Sequence, residues 1–379
     1  MGTDRAEGRV AAEAVAAPVS LPPFDASAMD GFALRYGDLE GAPPHTLQIV
    51  GTSYAGRPWS QPVPPRSAVR IFTGAAIPAS LDTVVIQEDC DYDPDAVRIR
   101  VTPDAGDNVR TAGHDVQAGE RLLPAGTRIT AFHLGWMSAC GVTRVRVVRR
   151  PRVAIFSTGD ELVEPGNELG PGQIYDANRH LLRLLLSRLP VQVEDFGILP
   201  DDPAHIRAAL QRAAADNDAV ITSGGVSVGD ADWVKRIVDD MGALQFWKLN
   251  LKPGKPLAYG SLGNAVFLGL PGNPVSAVVT ALLIARPALL RLCGAGYEAP
   301  TAVRARLEDA IAHRPGREEF QRGILREQDA ELVVAVTGDQ SSNRLASFAE
   351  ANCLIRIPKQ SGNLAVGDHV SVLLLTGLT

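Results

Sequence analysis

The spacing of apolar positions changes character near residue 151 of this 379-residue chain. Upstream, short β-type runs at 47–50, 69–72, 83–87 and 97–101 are separated by turn-forming residues, which predicts a small all-β domain over 41–114. On either side of that block, 5–16 predicts a short alanine-rich helix, and Pro18, Pro22 and Pro23 force an extended stretch. Residues 116–126 read as loop and turn, 131–139 as a helix and 143–148 as a strand. Downstream of 151, strand-like runs at 153–157, 191–196, 219–222 and 265–268 alternate with helical patterns at 177–188, 203–215, 231–241 and 274–292. That alternation predicts a parallel α/β sheet with helices on both faces over 151–296. From 297 the pattern returns to β type, with runs at 302–307, 332–336, 354–357 and 370–375, and a small C-terminal β-barrel or sandwich fits 297–379.

Composition narrows the partners. The net charge of −6 argues against a general nucleic-acid or anionic-membrane binder, which would normally be basic. Four dispersed cysteines with no C-x-x-C spacing indicate neither a zinc knuckle nor a disulfide framework. The longest nearly apolar run, 275–285, is too short to span a bilayer, and residues 1–9 lack a signal-peptide core, so a soluble cytoplasmic protein is the expectation. Of 37 basic residues only five are lysines, and three of these, Lys248, Lys252 and Lys255, fall within one loop. A chain that otherwise uses arginine needs a local reason for that cluster, and compact ammonium charges suit phosphates and oxyanions.

The α/β block carries its chemistry-bearing loops where such folds place ligands, beyond the carboxyl ends of the strands. S-T-G-D-E-L at 157–162 offers hydroxyls, a glycine and two carboxylates, suited to a metal or phosphate, or simply to a capped turn. T-S-G-G-V-S-V-G at 222–229 places three glycines between a strand and a helix, which allows close backbone approach to a phosphate. It is neither G-x-G-x-x-G nor G-x-x-x-x-G-K-[ST], so a dinucleotide fold or P-loop NTPase is not supported. In L-P-G-N-P-V-S at 270–276, Asn273 suits an N-cap and Pro274 the first helical position, a geometry that also makes an anion-facing helix start. Glu161, Asp201 and Asp232 share one sheet edge, and several carboxylates beside a phosphate cradle imply a divalent cation, most simply Mg²⁺. Asp201 or Asp232 equally suits a helix N-cap.

These strings, together with P-F-D-A-S-A-M-D-G-F-A at 23–33, I-F-T-G-A-A-I-P at 71–78, I-Y-D-A-N at 174–178 and F-W-K-L-N-L-K-P-G-K-P at 246–256, resemble the molybdopterin molybdenumtransferase family, which includes the E domain of gephyrin. The resemblance covers nearly the whole chain. It implies a multidomain fold of α/β plus β type: a discontinuous N-terminal linking domain at 1–40 and 115–150 with the small β domain of 41–114 inserted, a central molybdopterin-binding-like α/β domain, and a C-terminal β-barrel. An L-shaped subunit and an elongated homodimer go with that fold. The implied reaction inserts molybdate into adenylylated molybdopterin, with Mg²⁺ and release of AMP. Glu161, Asp201 and Asp232 match positions for metal and substrate handling, and Asp30 and Thr73 match residues that reach the site from the partner subunit. Lys248, Lys252 and Lys255 match the family's basic positions. The substrate-binding set implied further includes Asp176, Asn178, Ser223, Gly224, Gly225, Ser227, Gly229, Pro271 and Asn273, with Arg110 and Asp115 near the cleft. Arg317 and Ser342 match a C-terminal region linked to oxyanion binding.

The chain departs from the family pattern in places. Ala26 stands where Asn is typical and Phe32 where Tyr is typical, each removing a hydrogen-bonding group near Asp30. Asp230 replaces a common Glu, and the family usually carries a longer N-terminal stretch with an amphipathic helix. Two other functions use the same motifs: adenylylation of molybdopterin with ATP, and a non-catalytic cofactor carrier or scaffold. A molybdopterin adenylyltransferase and apo-molybdoenzymes are the implied protein partners, and neither nucleic acid nor membrane is expected.

Overall fold

The computed structural model describes residues 1–225, 233–297 and 299–378, with only the backbone of 246–248. Two compact units divide the chain, Met1–Val147 and Val148–Thr379.

In the first unit a six-stranded sheet runs in the order Thr83–Ile86, Gly31–Leu34, Ser67–Ile71, His45–Ser53, Ala96–Ile99, Cys90–Tyr92. Gly31–Leu34 pairs with strands on both sides. This moves the start of the small β domain from the predicted 41 back to the Asp30 loop, because a strand with two neighbours cannot be a linker. A Cβ at Gly31 would lie 1.9 Å from the Val85 carbonyl oxygen, so only glycine fits there. The remaining residues form a second core in which Ala6, Ala11 and Ala17 pack against Leu122, Ile129 and Met137. The helix predicted at 5–16 is absent. Amides of Gly8, Ala11, Ala12 and Ala17 bond instead to the carbonyls of Ile129, Thr127, Arg146 and Glu120. Non-local pairing overrides alanine's helix propensity. The strand predicted at 143–148 makes only isolated bridges, Gly2 to Arg144 and Ala11 to Val147. The short strand Arg121–Leu123 arises inside the segment read as loop. Helix Ala131–Ala139 forms where the pattern put it, and Thr130 and His133 close a capping box.

The second unit opens with a six-stranded sheet ordered Gln192–Leu199, Arg152–Thr158, Ala219–Ser223, Ala265–Leu270, Pro256–Leu262, Ala243–Lys248. Its first four strands are parallel, and helices Ala177–Ser187, Pro203–Asp216 and Trp233–Met241 supply the crossovers. The all-parallel expectation fails at the far edge, where Pro256–Leu262 runs antiparallel to both neighbours. The cause is connection length. Leu262 and Ala265 are paired across a two-residue Gly263-Asn264 turn, which only an antiparallel hairpin can use.

Helix Pro274–Leu292 is long and apolar enough to cross a membrane by length and composition, beyond the 275–285 run noted in the sequence. Most of it is buried. Val275, Val278 and Leu282 join Phe320, Leu354 and Leu373 in one core, so it is the helix on which the C-terminal barrel sits. A π-turn at Ala281–Ala285 precedes Pro287, whose missing N–H an uninterrupted α-ladder would not tolerate.

The barrel closes through Glu318–Gln328, Glu331–Val336, Ala302–Leu307, His369–Leu374 and Cys353–Ile357, the last pairing back onto the first. Glu318–Gln328 escaped the sequence reading because its buried half, Glu319 to Gly323, carries Glu, Gln and Arg where a strand pattern expects apolar residues. All four cysteines are buried, and burial pushes the Cys353 thiol up to about 12, which leaves it unreactive.

Candidate active site

A cleft of about 760 Å³ opens at the carboxyl ends of the parallel strands. It gathers the 157–162, 174–178, 223–225 and 271–276 loops, and Asn343 of the barrel domain completes the wall. Ser157 and Ser223 are register partners on neighbouring parallel strands at its floor. Gly224 and Gly225 both adopt positive φ, 90° and 65°. A Cβ on Gly225 would lie 2.9 Å from Thr158 Oγ1, so the loop lies close against its neighbour. The Gly224 N–H donates to the Leu270 carbonyl at 3.1 Å, so it holds the loop together and does not face a phosphate.

The carboxylates sort themselves. Asp202, not Asp201, caps helix Pro203–Asp216 by accepting from the His205 N–H. That leaves Asp201 at the cleft, with its own N–H donating to Asp160 Oδ1 at 3.1 Å. Burial pushes the Asp201 carboxyl above its ordinary value, and the charges of Asp160 and Glu161 push the same way against a backbone hydrogen bond from Asp160. Glu161 folds back over Gly159, whose Cβ would lie within 2.5 Å of Oε2. Repelling hard oxygen donors fit Mg²⁺, which needs only one or two carboxylates besides water and substrate oxygens. Among the described residues no group of three or more His, Cys, Asp or Glu side chains is placed to hold a metal. The third predicted carboxylate, Asp232, lies outside the described residues, as do Ser227 and Gly229.

Other predicted residues have structural duties. Asp176 is buried and caps helix Ala177–Ser187, and both its oxygens accept from Arg179, at 3.1 Å from N–H and 3.0 Å from Nε. It lines the cleft with its carboxylate engaged by Arg179. Asn178 Nδ2 donates to the Gly272 carbonyl at 2.7 Å, tying two cleft loops together. Asn273 occupies the N-cap position, yet its side chain makes no capping bond and lines the cleft beside buried Pro271. At the helix start the Val275 N–H donates to the Ser342 carbonyl at 3.1 Å. Ser342 therefore meets the cleft rim through its backbone. Arg322 supports the same loop from below. Fully buried, it donates to Ser347 Oγ at 2.9 Å and to the Ser341 carbonyl at 3.2 Å, and burial lowers it to about 10. Arg317 is exposed just before Glu318, whose N–H bonds to the Asn250 carbonyl.

Of the lysines, Lys255 is exposed and the Lys248 side chain lies outside the described atoms. Lys252 pairs with Glu319 at 2.9 Å. Glu319 is buried and also bonds His313 Nδ1 at 2.8 Å and Gln321 at 2.9 Å. Lys252 thus anchors its loop to the barrel, and Leu251–Lys252 pairs as a short strand with Glu318 and Glu319.

In the first unit Thr73 donates to Asp30 Oδ1 twice, from N–H at 2.8 Å and from Oγ1 at 2.7 Å. Two residues that look ordinary singly form one carboxylate–hydroxyl pair. The backbone bond, then the hydroxyl bond, hold the Asp30 carboxyl below its ordinary value. Arg110 is exposed on a strand paired with Ala26, and Asp115 accepts from Trp136 Nε1 at 3.2 Å. Thr73→Ala should raise the Asp30 pKa only part of the way to 3.8, because the larger, backbone bond survives. A carbon-13 titration of the Asp30 carboxyl checks this. An unmoved midpoint would show that the hydroxyl bond has no influence. The contribution sought is present at neutral pH and lost as pH falls through the folded value.

Ser157, Thr158, Asp160, Tyr175 and Asn343 are cleft or cleft-rim residues absent from the predicted site set. Four of them sit inside or beside motifs already singled out. Asn343 could be placed only by the fold, which carries the barrel loop to the helix start.

Three family models match the chain: the MoeA N-terminal region (domain I and II) over 2–141, a probable molybdopterin binding domain over 154–291, and the MoeA C-terminal region (domain IV) over 304–375. A Haemophilus influenzae protein named molybdopterin molybdenumtransferase is 40% identical over 98% of this chain and 92% of its own length. A protein of the same name from Nostoc is 38% identical over 98% and 87%. The solved molybdopterin biosynthesis MoeA protein of Pyrococcus horikoshii superposes with a TM-score of 0.86 at 28% identity, covering 99% of this chain and 93% of that one.

Proposed function

Because this chain belongs to the molybdopterin molybdenumtransferase family, transferases of molybdenum cofactor biosynthesis, we propose that it inserts molybdate into adenylylated molybdopterin and releases AMP. The observation that carries this reading is the convergence of Glu161, Asp201 and the 223–225 loop on one cleft at the parallel strand ends. Glu161 and Asp201, with Asp232 as third candidate, would hold Mg²⁺. When bound, the ion supplies positive charge at the phosphoryl oxygens. The chain's own residues do the rest. Asn178 locks the 271–276 loop, Lys255 adds positive charge, and Arg322 with Ser342 sets the rim where the tetrahedral molybdate dianion is received. No side chain needs to form a covalent intermediate. We assign Asp30 and Thr73 to the site of a partner subunit in a cytoplasmic homodimer.

Adenylylated molybdopterin, molybdate and Mg²⁺ supplied to the purified protein should yield AMP and active cofactor. Absence of AMP release, with a known family member active in parallel, would sink the proposal. Pyrophosphate release from ATP and molybdopterin would instead favour adenylylation, and competition with tungstate tests the choice of oxyanion.

A further inference from the structure

The cleft floor holds two hydroxyls with nothing to bond. Ser157 and Ser223 are both at least 97% buried, and neither Oγ has a hydrogen-bond partner. They are register partners on adjacent parallel strands, so their side chains leave the same face of the sheet side by side. Both residues line the cleft. On its other flank Ser157 pairs with Ile198, whose side chain offers no acceptor. Buried polar groups are nearly always satisfied, and one that is not points to an absent partner. Two such groups at adjoining strand ends, inside the cleft that also gathers the acidic and glycine loops, point to the same one.

We infer that Ser157 is a further substrate-binding residue, and that Ser157 and Ser223 together donate to the phosphoryl oxygens of the bound nucleotide moiety. This rests on the proposed function above. The hydroxyls can donate because a serine side chain turns among three staggered rotamers, and neither hydroxyl would break a protein bond by turning toward the cleft. The partner is a tetrahedral oxyanion, and two sources offer that chemistry: the phosphoryl group and molybdate. The carboxylates of Glu161 and Asp201 in the same cleft favour the phosphoryl group, since oxygen donors beside hydroxyls suit a cation-bridged phosphoryl oxygen.

The test separates ligand binding from architecture. A serine that served the fold would lose stability on conversion to alanine. Ser157→Ala should instead melt at the wild-type temperature or above, because an unpartnered buried hydroxyl is removed. The same variant should bind AMP about tenfold more weakly by calorimetry in Mg²⁺ buffer, the loss of one hydrogen bond to a charged group. Ser223→Ala should behave alike, and the two changes should be non-additive. Unchanged AMP affinity in Ser157→Ala would overturn the inference, as would a lowered melting temperature. Weakened molybdate binding with unchanged AMP binding would overturn the phosphoryl assignment. Wild-type protein that turned over normally while Ser157→Ala bound AMP equally well would leave the proposed function standing and this inference alone refuted.

Discussion

Glu161→Gln is expected to lower turnover by about 100-fold or more, the scale on which removing one preorganised electrostatic contact acts. The change is nearly isosteric, so the Gly159 turn over which Glu161 folds keeps its shape. What is lost is a negative charge beside Asp201 and Asp160. Two consequences separate this from unfolding. If Glu161 helps hold Mg²⁺ as proposed, the Mg²⁺ concentration for half-maximal turnover should rise, because one oxygen donor is weakened. The Asp201 carboxyl should move down toward its ordinary value, because one of the charges raising it is gone. AMP release followed across a Mg²⁺ titration measures the first, and circular dichroism confirms the fold. Turnover within about threefold of wild type would remove Glu161 from the catalytic set.

Arg179→Met should cost about 3–5 kcal/mol of stability, the range for breaking a buried ion pair and stranding its partner. Arg179 is 4% exposed and bonds Asp176 at 3.0 Å, Asp195 at 2.5 Å and Glu164. Burial alone would favour its neutral form most strongly among the influences on it, but the bonds and charges of Asp195 and Asp176 outweigh this and leave it firmly charged. Methionine fills the volume and leaves the Asp176 carboxylate, 1% exposed, without its counter-ion. The double change with Asp176→Asn should recover part of the loss, because the stranded charge is gone. Denaturant unfolding measures both, and a loss below about 1 kcal/mol for the single variant would contradict the account.

Much of this architecture was legible because parallel strands in a covered sheet are simply apolar. Runs such as Ala219–Ser223 can be nothing else, and the loops that follow them had to be the cleft. Where burial is polar, the pattern misleads. Glu319 and Arg322 lie inside the barrel strand because distant segments contribute their partners, Lys252 to the first and Ser347 to the second, which no local window contains, and Gln321 in turn bonds Glu319. Alanine-rich 5–16 fails for a related reason, its amides being claimed by residues more than a hundred positions away. For the site, residue type located the carboxylates but not their duties. Adjacent Asp201 and Asp202 are indistinguishable in sequence, yet one caps a helix and the other faces the cleft. The rarity of lysine picked out the 248–255 loop, but only the fold reveals that Lys252 is held by Glu319.

The bond from the Val275 amide to the Ser342 carbonyl also sets an order of events during synthesis. Helix Pro274–Leu292 leaves the ribosome roughly 70 residues before the loop that satisfies its first turn, a delay of about 3–13 seconds at ordinary elongation rates. The short strand of Leu251–Lys252 waits for Glu318 in the same way. A nascent chain therefore carries the sheet and its acidic loops well before it carries a finished cleft. A chain released early would present those loops without their rim, so stop codons placed between the end of that helix and Ser342 should yield folded sheet with a weakened hold on ligand.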